Sequence, residues 1–173
     1  MKKIILLLAF IPLFGFSQNK KHKKFDCSKI EVLFDEMKDI KTSSYKTKST
    51  FSLLMKDTNK AYTLHYSKSE KNETVIKTIT FSGYGDFSMI GEKGLYIKLS
   101  NDEIIRFEDL QIESSYASSG TYTYICVLKL DNELVAKFSE NEIIKFDLSR
   151  AKYNVLPKDS YELKESIKCI TDN

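Results

Sequence analysis

The stretch YTYICVLKL, residues 122–130, decides the fold of this chain. Aromatic and β-branched side chains favour the pleated, half-buried surface of a sheet, so the stretch predicts the longest strand of the protein. Cys126 lies in the middle of it, where a small apolar residue fits a sheet core. We therefore expect Cys126 to be a buried core residue.

A two-residue period continues through most of the chain from residue 50. The predicted strands are residues 51–56, 61–67, 74–81, 95–99, 104–107, 111–113 and 143–148. Turn residues separate them, and Gly83 and Gly85 are interpreted as part of a turn that ends the third of these strands. The composition, with 10 Tyr, 11 Phe, no Trp, 6 Gly and 2 Pro, is typical of a strand-rich globular protein.

Two segments have helical spacing. Leu134, Val135 and Phe138 follow Asp131, which is placed as an N-cap, so residues 131–139 predict a short helix. After Pro157, residue 159 or 160 is placed to cap a C-terminal helix that carries its apolar residues on one face. The fold class is therefore α+β and β-rich. The strands are mainly antiparallel and form a two-layer sheet or a partly closed barrel, with one short internal helix and a C-terminal helix.

The N-terminus has the pattern of an export signal. Lys2 and Lys3 precede an apolar stretch that is shorter than the roughly 20 residues of a membrane-spanning helix. Small residues follow at Gly15 and Ser17, as in a secretory signal peptide. We expect residues 1–17 to be a signal peptide, residues 18–24 a basic flexible tail, and residues 25–173 a single β-rich domain. The protein is then exported to the periplasm, the cell surface or the extracellular space, with no membrane span after cleavage.

Charge and cysteine content limit the function further. Without Lys2 and Lys3, the 27 basic residues become 25 against 24 acidic ones, which argues against a nucleic-acid partner. An oxidising compartment permits a disulfide, and Cys27 and Cys169 lie at the two ends of the predicted domain. Connectivity cannot be read from sequence, so a Cys27–Cys169 bond and free thiols both stay open.

Five short stretches, spread over most of the chain, carry a resemblance to a known group of proteins. They are residues 34–42, 94–105, 128–134, 142–146 and 163–170. Together they resemble small exported proteins of Bacteroidetes-type bacteria. That group has no assigned activity, so the resemblance implies no functional residues. It implies strand and loop around Asp35-Glu36, whereas the spacing of Ile30, Leu33 and Met37 fits an amphipathic helix, and both interpretations of residues 29–38 stay open.

The candidate chemistry is sparse. With only His22 and His65 and no neighbouring ligand, we expect no metal site, no cofactor and no catalytic residue of a recognised type. Acidic pairs such as Asp102-Glu103 could serve a hydrolase only if two carboxylates faced each other across a cleft. Residues 114–124, rich in Ser and Tyr, have the composition of a contact surface, with Tyr116, Tyr122 and Tyr124 as candidate binding residues.

The sequence therefore predicts an exported, non-enzymatic binding module for an envelope or extracellular protein or a glycan. Two alternatives are a small carboxylate-based hydrolase, and a carrier or inhibitor with an apolar cavity inside a closed sheet.

Overall fold

The computed structural model describes residues 24–47, 61–117 and 120–171. The predicted signal peptide, the basic tail up to residue 23 and the predicted strand 51–56 lie outside these residues. The strands are β1 (Glu31–Asp35), β2 (Ile40–Lys46), β3 (Tyr62–Lys71), β4 (Thr74–Gly85), β5 (Lys93–Leu99), β6 (Ile104–Gln111), β7 (Glu113–Tyr116), β8 (Tyr122–Lys129), β9 (Ile143–Leu148) and β10 (Ala151–Asn154). The helices are α1 (Asn132–Glu140) and α2 (Pro157–Thr171), and a 3₁₀ turn spans Cys27–Lys29.

Ten described strands form two antiparallel sheets. The large sheet has the order β1-β2-β3-β4-β8-β7, and the small sheet has the order β10-β9-β5-β6. No strand pair joins the two sheets within the described ranges. The two-layer prediction is confirmed in this form, and the barrel alternative is wrong because the two hydrogen-bonding networks stay separate.

The core lies between the inner faces of the two sheets. The ring of Phe81 on β4 contacts that of Phe146 on β9, with centroids 5.2 Å apart, and Phe146 stacks on Tyr153 of β10 at 4.8 Å. Cys126 is 1% exposed among these residues, so the prediction of a buried core cysteine is confirmed. Aromatic packing of this kind contributes beyond the area that it buries.

The stretch around Gly83 and Gly85 was expected to be a turn, and that prediction is wrong. Strand β4 continues through both glycines to Gly85. A Cβ at Gly83 would lie 2.3 Å from the Tyr153 ring, and one at Gly85 would lie 2.4 Å from the Tyr124 hydroxyl. Glycine is required at both positions because aromatic rings approach the backbone closely. The two glycines therefore reflect packing and do not mark a turn.

Both predicted helices are present. The Asp131 carboxylate accepts a hydrogen bond from the backbone N–H of Leu134 at 2.8 Å, which confirms it as the N-cap of α1. Helix α2 begins at Pro157, a residue whose fixed φ suits the first helical position, so the prediction that residue 159 or 160 caps the helix is wrong and both residues lie in its first turn. Its buried face includes Leu163, Ile167 and Ile170, and it packs against β2, β3 and β9.

The open question over residues 29–38 is resolved in favour of extended structure. Residues Glu31–Asp35 form β1, which pairs antiparallel with β2. The helical spacing misleads because the apolar residues of this segment do not face a core: all five residues of β1 are exposed. A helix needs tertiary packing of its apolar face to be stable, and none is available here.

Candidate functional site

The three candidate tyrosines do not share one surface. Tyr116 on β7 lies opposite Tyr122 on β8, with ring centroids 5.4 Å apart in an edge-to-face arrangement. Tyr116 is 67% exposed, whereas Tyr124 is fully buried and donates its hydroxyl hydrogen to the carbonyl oxygen of Phe87. The structure therefore brings Tyr116 and Tyr122 together at the sheet surface and places Tyr124 in the core.

The two terminal cysteines are joined. Cys27, in the 3₁₀ turn, and Cys169, in α2, form a disulfide with Cα atoms 5.8 Å apart. The third cysteine, Cys126, is a buried free thiol, and burial raises its pKa to about 12. Because the thiolate is the reactive form, Cys126 is inert at neutral pH.

The acidic pairs singled out from the sequence lie at separate turns and helix ends. Asp102 pairs with Lys98 at 2.8 Å, and Glu103 pairs with Lys137 at 2.9 Å. Both carboxylates are on the surface, and each is held by its own lysine. These pairs do not form a two-carboxylate site.

Three other carboxylates, those of Glu31, Asp159 and Glu162, line a cleft of about 500 Å³ at the N-terminal end of α2. The cleft lies beside the end of β2 and the 3₁₀ turn. It is lined by Lys29, Glu31, Tyr45, Lys46, Leu156, Lys158, Asp159 and Glu162. A cavity of this volume is within the range of small-molecule sites.

Asp159 forms the inner wall of the cleft. The residue is only 5% exposed, and its Oδ2 accepts a hydrogen bond from the Tyr62 hydroxyl at 2.7 Å. The same hydroxyl accepts the backbone N–H of Leu156 at 2.7 Å. Burial raises the pKa of Asp159, and the hydrogen bond from Tyr62 only partly opposes this. Oδ1 accepts no hydrogen bond from the described residues.

Glu162, one helical turn further along α2, is hydrogen-bonded at both of its oxygens. Lys29 Nζ lies 3.0 Å from its Oε1, and the Tyr45 hydroxyl donates to Oε2 at 2.6 Å. Burial acts to raise the pKa of Glu162, but the hydrogen bonds from Tyr45 and Lys29 outweigh it, and the pKa is lowered. Hydrogen bonds to the ionised form stabilise that form.

This arrangement suits binding better than hydrolysis. A carboxylate-based hydrolase needs one acid and one free carboxylate that activates water or attacks the substrate. Asp159, with its raised pKa, resembles the acid, but Glu162 is held by hydrogen bonds from Lys29 and Tyr45. Glu31, the third carboxylate of the lining, is exposed on β1 and receives no hydrogen bond from a described side chain that would fix it opposite Asp159. What remains for a ligand is the Asp159 carboxyl group, Glu31 and the lysines at the rim.

Sequence reasoning missed this cleft. The spacing of Asp159 and Glu162 on one helix face was visible, but it is common to many solvated helices. The informative partners, Tyr62 and Tyr45, lie 97 and 117 residues away along the chain, and only the fold brings them to α2.

A second feature is an apolar surface on the hairpin of β1 and β2, which we call the hairpin patch: Val32, Leu33, Phe34 and Met37. These side chains are 58%, 65%, 59% and 98% exposed, respectively. Val32 and Phe34 share one face of β1, Leu33 lies on the other face and Met37 lies in the turn, so both faces of this hairpin expose large apolar side chains. Concentrated exposed apolar side chains of this kind mark interaction sites. Residue-by-residue hydropathy shows these side chains, but their exposure depends on β1 being the outermost strand of its sheet.

Of the two histidines, only His65 lies within the described residues. His65 is half-buried on β3, and burial together with nearby Lys46 lowers its pKa. Within residues 24–47, 61–117 and 120–171, no three His, Cys, Asp or Glu side chains are grouped closely enough to hold a metal ion. None of the helices in those ranges has the length and apolarity needed to cross a membrane.

Comparisons with protein-family models, with curated proteins and with solved structures find no match to this chain.

Proposed function

We propose that this is an exported, non-enzymatic binding protein that acts in the periplasm, at the cell surface or outside the cell. Its partner is an envelope or extracellular protein, which adds an extended segment to the edge of the large sheet along β1. The observation that supports this most directly is the hairpin patch on an edge strand whose five residues are all exposed.

The backbone of β1 supports strand addition. β1 pairs with β2 on one side and, among the described strands, with nothing on the other. The outer edge of such a strand presents unpaired N–H and C=O groups, which an extended segment can satisfy while alternate side chains set specificity. Natural edges are usually protected against this by charge, proline or short length.

The charges of β1 define the chemistry of the partner. Val32, Leu33 and Phe34 form the middle of the strand, and Glu31 and Asp35 lie at its two ends. An antiparallel copy of β1 centred on Leu33 would place Glu31 opposite Asp35, and like charges directly opposite each other are unfavourable. The strand instead complements an extended segment that has an apolar centre and basic residues on both sides.

Export is part of the proposal and is supported by the pattern of residues 1–17 and by the cysteines. A disulfide between Cys27 and Cys169 is the kind of bond that persists in oxidising compartments.

The test is affinity capture from envelope extract of the host, at low and moderate salt, with three versions of the tagged protein. The first is wild type, the second carries Val32→Lys and Phe34→Lys, and the third carries Ser115→Lys on the opposite edge strand β7, where the residue is also exposed. We expect wild type and the β7 variant to retain the same protein and the hairpin variant to lose it.

A second measurement identifies the mode of binding. The backbone amides of β1 should gain hydrogen-exchange protection in the complex, because strand addition gives them new acceptors. Equal retention by all three versions would show that the partner binds elsewhere. Retention of a glycan in place of a protein would overturn the strand-addition proposal.

A further inference from the structure

We infer that the cleft at the N-terminal end of α2 is a binding site for a small zwitterion, a free amino acid or a short peptide. The ligand ammonium is held by Asp159, and the ligand carboxylate by Lys46 and Lys158. This site shares Glu31 with the protein-binding edge proposed above, but the experiment that tests it does not involve that edge.

The Asp159 end of the cleft is built to accept a cation. The side chain is buried and its Oδ2 is fixed by the Tyr62 hydroxyl at 2.7 Å, which orients the carboxyl group. Asp159 lines the cleft, and no described residue donates a hydrogen bond to its Oδ1. A buried carboxylate is costly unless it is paired, so an incoming ammonium supplies what the fold does not.

The other end offers two lysines. Lys46 and Lys158 line the same cleft, and neither forms an ion pair with a described carboxylate within 4 Å. Lys158 is close enough to act electrostatically on both Asp159 and Glu162. Both ammonium groups are therefore available to a carboxylate of the ligand.

The remaining wall residues, apart from Glu31, are already partnered or are apolar. Lys29 is held at 3.0 Å from Glu162, whose second oxygen is held by Tyr45, so these three side chains form a closed group. Leu156 and the Tyr45 ring give an apolar surface to the middle of the cleft. The volume of about 500 Å³ admits a molecule the size of a dipeptide.

A ligand with a single charge fits this arrangement less well. An anion would face Asp159 and Glu31, and a cation would face Lys46 and Lys158. A molecule that carries both charges satisfies the two ends at once. Specificity of this kind comes from rejecting the wrong charge as much as from attracting the right one.

The test is a titration of the purified ¹⁵N-labelled protein with a pool of twenty Ala-Xaa dipeptides, followed by NMR. We expect shifts of backbone amides around Leu156 and Tyr45. The same pool with acetylated N-termini, and the same pool with amidated C-termini, should each bind about tenfold or more weakly, because each loses hydrogen bonds between charged groups. Shifts at these residues that are equal for free and blocked peptides would overturn the inference.

Two variants and one control test which side chains bind the ammonium and the carboxylate of the ligand. Asp159→Asn keeps an acceptor for Tyr62 but removes the charge, and it should reduce affinity about tenfold or more. Lys158→Gln lies at the rim and should reduce affinity by a smaller factor, about threefold. Lys152→Gln, on β10 and also exposed, lies outside the cleft and should leave affinity unchanged.

The blocked pools also distinguish the contribution of the ligand ammonium from that of the ligand carboxylate. Lys158→Gln should reduce the affinity for the amidated pool less than the affinity for the free pool, because the amidated peptides have no C-terminal carboxylate for Lys158 to bind. The absence of any shift near the cleft with the free dipeptide pool would overturn the inference. So would unchanged affinity of a folded Asp159→Asn variant, with folding verified by its thermal transition.

Discussion

The large sheet has two edges, and they differ. The β7 edge is four residues long and mostly polar, and its one large side chain, Tyr116, packs against Tyr122. The β1 edge exposes Val32, Leu33 and Phe34 to solvent. The β7 edge is short and polar, as in natural sheets that avoid unwanted pairing, whereas the β1 edge carries charge only at its two ends and has an apolar centre.

The two edges also differ in how they are held. The chain entering β1 is tied to α2 at two points, through the Cys27–Cys169 bond and the ion pair of Lys29 with Glu162 at 3.0 Å. The β7 edge depends on its pairing with β8 and on the contact between two tyrosine rings. The side chains of β1 are therefore free for a partner because the strand is anchored by the segment before it.

Among the changes that test how the two edges are held, removing the disulfide should have the largest effect on the free energy of unfolding. The variant Cys27→Ser with Cys169→Ser opens a loop with a sequence separation of 142 residues. We expect a loss of about 5 kcal/mol in the free energy of unfolding on the loop-entropy model. Urea unfolding of this variant, and of wild type with and without reductant, measures it. Unchanged midpoints would contradict the anchoring role.

The ion pair should have the next largest effect. Glu162→Gln should lower the free energy of unfolding by about 1–2 kcal/mol at neutral pH, because it removes a hydrogen-bonded charge. The folded pKa of Glu162 is below the ordinary 4.5, so its stabilisation is complete above that pH and is lost as pH falls through the folded value. Wild type and variant should converge in acid in urea titrations.

Asp159 provides the control for that pH dependence, with the opposite sign. Its folded pKa is above the ordinary 3.8, so its carboxyl group favours the folded state most at low pH and this advantage declines as pH rises through 3.8 to the folded value. Asp159→Asn should therefore remove a decline in stability with rising pH. The same slope in wild type and variant would mean that this carboxyl is not shifted.

At the β7 edge, Tyr116→Ala should cost about 1 kcal/mol through loss of the ring contact with Tyr122. Ser115→Ala on the same strand is the matched control and should stay within about 0.5 kcal/mol of wild type. Thermal unfolding compares the two. A Tyr116 variant as stable as the control would show that the ring pair does not secure this edge.

The smallest effect on stability is expected for substitutions in the hairpin patch, which should have the largest effect on partner binding. Val32→Ser with Phe34→Ser should change the free energy of unfolding by no more than about 0.5 kcal/mol, since both side chains are exposed. The same variant should fail to capture the partner. A stability loss well above 1 kcal/mol would mean that the hairpin patch packs against this chain itself.

Local patterns predicted most of the elements correctly. The hairpin of β5 and β6, the Asp131 cap of α1 and the apolar face of α2 follow from neighbouring residues, and all three are present. Strand β10 was not predicted, because at four residues it carries too few alternations, and its Tyr153 is positioned by distant contacts: it stacks on Phe146 and donates a hydrogen bond to the carbonyl oxygen of Tyr84.

The cleft and the extended state of β1 depend on distant contacts. Nothing near Asp159 in sequence indicates that Tyr62 will fix it, and nothing near Phe34 indicates that its strand will be outermost. Periodicity reports which residues share a face. It does not report whether that face is covered.

The buried thiol of Cys126 has a consequence for how the chain matures. An unfolded chain with three cysteines can close three different bonds, and only the one between Cys27 and Cys169 is compatible with β8 in the sheet core. Once Cys126 is buried with a pKa of about 12, almost none of it is thiolate, and exchange proceeds through the thiolate. Burial in the sheet therefore keeps Cys126 from exchanging, and a mispaired disulfide can form only before β8 packs into the sheet.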